Sequence, residues 1–241
     1  MAGFFAAAFG IASDKIVPAD YDGDGKTDLA VYRSGIWYLN RSQAGFTGIA
    51  FGASDDIPVP ADYDGDGKAD IAVFRPSNGV WYRVNSQNNQ FFAVQFGATG
   101  DKPTLGDYDG DGKSDIAVYR PSNGIWYRLN SSTGGFVAVI FGQSGDVPVR
   151  GDYDNDGFSD IAVFRPSSGI WYLNRSTFGF TGIAFGQSGD IPVPSDYDGD
   201  NQTDIAVFRP SNGAWYIQQS FNGFTGVTFG ANGDIPVPAL P

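Results

Sequence analysis

The feature that most constrains this chain is an internal repeat. Five nine-residue segments carry Asp at positions 1, 3, 5 and 9. They begin at Asp20, Asp62, Asp107, Asp152 and Asp196, spaced 42, 45, 45 and 44 residues apart. After each segment comes a strand-like run: LAVYR, IAVFR, IAVYR, IAVFR and IAVFR. A turn and a Trp-Tyr run follow, at Trp37, Trp81, Trp126, Trp171 and Trp215. A third run of the F-T-G-I-A-F-G type comes next, then an I-P-V-P stretch that leads into the following unit. A period of this size, divided into four short extended runs by Gly, Pro, Asn and Asp turns, is the signature of a propeller blade.

The reading is therefore all-β: a five-bladed β-propeller of four-stranded antiparallel blades, about 44 residues per blade, forming one domain over residues 1–241. Units begin near residues 14, 56, 101, 146 and 190, with a terminal partial copy at 234–241. The runs are apolar on both faces, as in sheets sandwiched between neighbours. A β-sandwich accounts less well for a four-strand period. The expected strand order from the axis outward is I-P-V-P, I-A-V-F, Trp-Tyr, then F-T-G-I-A-F. One spare strand stands at each terminus, an outer copy at Phe4–Gly10 and an inner copy at Asp234–Pro238. These are not neighbours within a blade, so they do not make a sixth. Displacement, fraying and donation to another protomer remain open.

The Asp segments have the chemistry of a calcium loop. In the first unit, side-chain oxygens stand at Asp20, Asp22, Asp24 and Asp28, with the backbone carbonyl of Lys26 at position 7. The same positions are Asp62, Asp64, Asp66, Asp70 and Lys68 in the second unit. In the third they are Asp107, Asp109, Asp111, Asp115 and Lys113. The fourth has Asp152, Asp154, Asp156, Asp160 and Phe158, and the fifth Asp196, Asp198, Asp200, Asp204 and Gln202. Calcium takes six to eight oxygens, so clustered carboxylates with a carbonyl and water suit it; magnesium prefers small octahedral sites. The loop shares the front half of an EF-hand loop but lacks its bidentate Glu. Asn201 stands where the other units have Gly at position 6, and Asn tolerates a left-handed backbone better than most residues. In the terminal copy Leu240 replaces the first Asp, so that copy binds nothing.

Composition sharpens the point. All 27 acidic residues are Asp, and 20 of them occupy these loop positions. Six more, Asp14, Asp56, Asp101, Asp146, Asp190 and Asp234, stand six residues before a loop start or its terminal counterpart. About five calcium ions would raise the formal charge from −12 to −2. Unneutralised, the clustered carboxylates repel one another.

The recurrent Phe-Gly, as in Phe51-Gly52 and Phe96-Gly97, with the Asp loop and the D-I-A-V-F-R strand, resembles the FG-GAP/VCBS repeat family over nearly the whole chain. The resemblance implies a calcium-binding propeller like the integrin α-subunit head and a fungal lectin of integrin-like repeats. It also implies calcium in hairpin loops at one rim. The G-A-P tripeptide of integrin repeats is absent, and F-R-P takes its place.

Other repeated residues have structural readings. Arg33, Arg75, Arg120, Arg165 and Arg209 end the second strand and are expected to pair with the second Asp set. Trp and Tyr of each pair are expected to pack toward opposite neighbouring blades. The segments 41–44, 86–90, 131–134, 175–178 and 219–222 vary most, and Phe178 and Phe221 are expected to be exposed there.

Function classes narrow accordingly. The chain has no His, Cys or Glu, which leaves few candidates for acid–base work, and it is expected not to be an enzyme. A charge of −12 argues against nucleic acid. No apolar run spans a membrane. The apolar start lacks a basic n-region and a cleavage site and is not read as a signal peptide. The expectation is an extracellular or cell-surface recognition module for a glycan or an extracellular protein. The alternative is a structural or self-assembling repeat scaffold, a natural surface-protein excerpt or an engineered propeller, with calcium its one small ligand and self-association through the terminal strands.

Overall fold

The computed structural model describes residues 6–237. It contains five four-stranded antiparallel sheets in strict sequence order, and among the described residues no helix. The first blade is built from β1 (Lys15–Ile16), β2 (Leu29–Arg33), β3 (Ile36–Arg41) and β4 (Gly45–Ala50), hydrogen-bonded in that order. The other four span residues 57–95, 102–140, 147–184 and 191–228. The molecule is a five-bladed β-propeller, with the strand order expected from the repeat.

Each blade is buried according to strand position. The second strand is buried along its length, as in IAVFR of blade 2, because a neighbouring blade covers each face. The outer strand alternates, as in GFTGIA of blade 1, because one face looks to solvent. The innermost strand is only two residues long in every blade.

The blades join through one repeated apolar pattern. Tyr21, Trp37 and Leu39 of blade 1 cluster with Ile71 and Val73 of blade 2, and Tyr82 packs against that cluster. Equivalent residues join blades 2 and 3, 3 and 4, and 4 and 5. Trp therefore faces the following blade and Tyr the preceding one, as the alternation of strand side chains dictates. Every Trp indole N–H donates to a Phe-Gly carbonyl, as Trp81 does to Phe96 O at 2.8 Å.

The second Asp set and the strand-ending arginines form five two-point ion pairs. Arg75 Nε and Nη2 donate to Asp56 Oδ1 and Oδ2 at 2.7 and 2.9 Å. The same pairing joins Arg33 to Asp14, Arg120 to Asp101, Arg165 to Asp146 and Arg209 to Asp190. Each guanidinium also lies over the Tyr of its own blade, Arg165 at 4.3 Å from the Tyr172 ring centre. This structural reading of the arginines is borne out.

The terminal copies differ from the five blades. Among the described residues neither Ala6–Gly10 nor Asp234–Val237 forms a strand, and Phe4, Pro238 and Leu240 lie outside them. Local turns survive: Ala231 N–H donates to Asp234 Oδ2 at 2.8 Å, as Ala53 N–H does to Asp56. The ring also has one dissimilar junction. The cluster of blade 5 includes no residue of blade 1, and Leu29 is 42% exposed where Ile71, Ile116, Ile161 and Ile205 are buried.

Candidate metal centres

Each Asp loop connects the first two strands of its blade and curls around its own first carboxylate. In the first loop Asp20 Oδ1 accepts from Gly23 N at 2.6 Å and Oδ2 from Gly25 N at 2.8 Å. Gly25 holds φ at 79°, and its counterparts Gly67, Gly112 and Gly157 lie at 82–86°. Asn201 takes φ 67° at this position, and its N–H still donates to Asp196 Oδ2 at 2.9 Å. The fifth loop thus keeps the turn without glycine.

The loop brings acidic side chains together. Carboxylate oxygens of Asp20, Asp22 and Asp28 lie within 4.8 Å of one another, as do those of Asp107, Asp109 and Asp115. Asp152, Asp154 and Asp160 repeat the arrangement, and so do Asp196, Asp198 and Asp204. In the second loop the tight group is Asp62, Asp64 and Asp66. The fifth-position carboxylates Asp24, Asp111, Asp156 and Asp200 fall outside these tight groups. Each accepts the N–H of position 7, as Asp24 does from Lys26 at 3.0 Å.

The ninth-position Asp is the deepest member. Asp28, Asp70, Asp115, Asp160 and Asp204 are at most 2% exposed. Burial pushes Asp70, Asp115 and Asp204 up from the usual carboxylate range, opposed in part by backbone donors. Asp160 is pushed up to about 6, by burial first, with the negative charge of Asp154 adding to it. The loop holds negative charge where its own surroundings disfavour it.

Oδ1 of Asp22, Asp64, Asp109, Asp154 and Asp198 is buried, and no donor reaches it among the described residues. The other oxygen of the same carboxylate is satisfied, as Asp22 Oδ2 is by Gln43 N and Ala44 N at 2.9 and 2.8 Å. An acceptor buried without a partner is costly, and a cation within the cluster would satisfy it. The donor set is all oxygen, which suits a hard ion.

Sequence reasoning missed the part that closes each cage. Ser42, Ser86, Ser131, Ser176 and Ser220 begin the segments between the third and fourth strands. Ser131 N–H donates to Asp115 Oδ1 at 2.6 Å, and its hydroxyl to Asp111 Oδ1 at 2.8 Å. The other four serines make the same pair of contacts. The segments that vary most are therefore tied to the cages by their backbones. Phe178 and Phe221 do project from them, 65% and 81% exposed. The available signal was the Ser itself, 16 residues after the ninth-position Asp in four of the five units.

Neighbouring cages touch. Ala69 N–H donates to Asp20 O at 2.7 Å, joining the second loop to the first. Ser114, Ser159 and Thr203 make the same bond to Asp62, Asp107 and Asp152. One further departure lies in the central channel. Arg150 takes the place held by Pro60 and Pro194, and it lines a cavity of about 590 Å³ between blades 4 and 5. Burial pushes its pKa down.

Solved structures share this fold at low identity. A lectin from Agrocybe aegerita that recognises non-reducing terminal N-acetylglucosamine is 20% identical, with a TM-score of 0.60 over 88% of this chain and 65% of that one. Virginiamycin B lyase from Staphylococcus aureus is 8% identical, with a TM-score of 0.61 over 92% of this chain and 73% of that one. BBS1N, solved in complex with ARL6DN, is 13% identical, with a TM-score of 0.56 over 88% of this chain and 65% of that one. The chain thus spans about two thirds of the length of these structures. Curated protein sequences give no significant match. At the level of sequence families, the FG-GAP-like repeat matches residues 20–73, 62–118 and 152–207, and the FG-GAP repeat matches 99–140. The chain belongs to the FG-GAP repeat family.

Proposed function

We propose that the chain is a calcium-loaded, non-catalytic propeller that serves outside the cell as a recognition module for glycans or proteins. The observation that carries the metal part is the buried, donorless Oδ1 of the third-position Asp, repeated in all five loops. Calcium binds such an oxygen together with the first-, fifth- and ninth-position carboxylates and the position-7 carbonyls of Lys26, Lys68, Lys113, Phe158 and Gln202. Extracellular modules bind calcium at about 10⁻⁴–10⁻³ M, which suits constant occupancy outside cells.

Absence of catalysis is supported by the fate of the carboxylates. Of the 27 Asp residues, 20 stand in the cages and five pair with arginines, leaving only Asp55 and Asp234, and the chain has no His, Cys or Glu. Recognition is supported by the outer strands. Phe46, Phe91, Phe136, Phe180 and Phe224 are 57–66% exposed, one per blade. Phe91, Phe136 and Phe180 stack on the Tyr of their own blade at 6.2–6.3 Å, which holds each ring in place. Fixed, exposed aromatics repeated around a ring suit multivalent contact with sugars or apolar protein surfaces. The Agrocybe aegerita lectin supplies terminal N-acetylglucosamine as a first ligand to try. An array of glycans and extracellular proteins, probed in calcium and in chelator, tests this reading. Binding in calcium is expected, weakened by Phe136→Ser; silence on every probe overturns the recognition role. A scaffold is the second reading, favoured by the exposed junction between blades 5 and 1.

A further inference from the structure

The four internal junctions are copies of one interface. The leaving face of a blade presents its loop Tyr, its Trp and an outer-strand aliphatic residue, Tyr21, Trp37 and Ile49 in blade 1. The entering face of the next presents Ile71, Val73 and Tyr82. Blade 5 carries the same leaving face, with Val193, Phe208, Ile217, Tyr197 and Trp215 in one cluster. Blade 1 carries the same entering face in Leu29, Val31 and Tyr38. Among the described residues these two faces share no core cluster. Val227 is 51% exposed, whereas its counterparts Ile49, Val94, Val139 and Ile183 are half-buried against the next blade. Trp215 is half-buried where the other four Trp are at most 4% exposed. The cage-to-cage hydrogen bond made at four junctions is not made from Thr27 N–H to Asp196 O among the described residues.

The entering face of blade 1 already has a partial occupant. The Phe9 ring lies 6.4 Å from Phe46, as Phe51 lies 6.4 Å from Phe91 across an internal junction. A Cβ on Gly10 would stand 3.2 Å from Val31, as one on Gly52 would from Val73. Phe9 and Gly10 thus stand in for the end of a preceding outer strand, and they keep Val31 5% exposed. They leave Leu29 uncovered.

We propose that the leaving face of blade 5 binds the entering face of blade 1 on a second copy of this chain, head to tail. The occupant is a second copy because each face is already seen bound, four times over, to the kind of face that the other end of the chain presents. An isologous pairing would set like against like and reproduce none of these contacts. In the docked register the incoming Phe229 and Gly230 take the place of Phe9 and Gly10, which move aside. A heterologous contact leaves one unused face at each end, so assembly proceeds beyond two copies or closes as a ring. The proposal does not rest on the metal reading.

Sedimentation velocity of the full chain in calcium buffer, with Leu29→Asp and Val227→Asp, tests it. The parent is expected to increase in mass with concentration. Each variant alone should associate at least about 30-fold more weakly, the loss expected for a charge placed at an interface hot spot. An equimolar mixture of the two should form a one-to-one dimer and stop there, because each contributes one intact face. Both positions are exposed; if either variant melts early, Leu29→Ser and Val227→Ser replace them. A parent that stays monomeric overturns the proposal. So does a mixture that forms no heterodimer, or variants that assemble alone as the parent does.

Discussion

Each blade carries two sets of Asp, and they differ in what completes them. Asp101 is buried and held by both Arg120 Nε and Nη2 at 2.7 and 2.8 Å. Asp109 and Asp115 sit in a carboxylate cluster, with Asp109 Oδ1 buried and donorless and Asp115 displaced toward its neutral form by burial. The arginine-paired set carries its counter-charge on the same chain, on the adjacent strand. The loop set has no arginine partner among the described residues, and on the proposed reading calcium supplies its counter-charge. On that reading, one residue type does two jobs in the repeat: a permanent pin, and a pin that a cation completes. The two sets should therefore respond differently to metal, chelator and acid.

The largest expected effect breaks the permanent pin. Arg120→Met strands a buried carboxylate and should cost about 3 kcal/mol, near the low end for such a loss because the Arg120 side chain is 30% exposed. Chemical denaturation should give the same loss in calcium and in chelator. Dependence on calcium would blur the distinction between the two sets.

Asp109→Asn attacks the conditional pin. In calcium at about 100 times the dissociation constant, one lost site should cost roughly 3 kcal/mol. In chelator the same change removes a like charge from the cluster and should be neutral or slightly stabilising. A loss of equal size in both buffers would place Asp109 with the permanent set.

Acid should separate the two sets again. The folded pKa of Asp160 is raised to about 6 from 3.8, so the folded state binds this proton more readily than the unfolded chain. The penalty is present in full above pH 6 and is relieved as pH falls toward 4. Without metal, moving from pH 7.5 to 5 should therefore stabilise the fold, by on the order of 1 kcal/mol from Asp160 alone. Asp14, held below the usual range by Arg33, loses its contribution only below about pH 4, outside that window. With calcium bound the sign reverses, because the ion requires ionised carboxylates. Thermal melts at both pH values, with and without chelator, check all four combinations.

The smallest effect tests the cage closure. Ser131→Ala removes one hydroxyl donor to Asp111 and should cost about 1 kcal/mol. Calorimetric titration should also show weaker metal binding in the third loop, because that hydroxyl holds the Asp111 carboxylate in place.

Much of this was legible in the sequence, for a physical reason. Strand order, the Arg120–Asp101 pairing and the orientation of Trp126 all follow from residues at constant offsets in five copies. What repeats at a fixed offset must meet the same neighbours. Ser131 escaped notice because Ser is common in turns and its partners Asp111 and Asp115 lie one hairpin away. The uncovered Leu29 was not legible, because a repeat specifies how one blade meets the next and not whether five such steps close a circle. Arg150 occurs once, so periodicity gave it no weight.

The contrast between the two Asp sets depends on calcium completing the five cages. Isothermal titration of the chelator-stripped chain with calcium tests this most directly by counting ions per chain, and thermal melts of the stripped and loaded chain give the accompanying change in melting temperature. About five calcium ions should bind, with a marked rise in melting temperature that chelator reverses. No heat of binding, with the same melting temperature in calcium and in chelator, would contradict it.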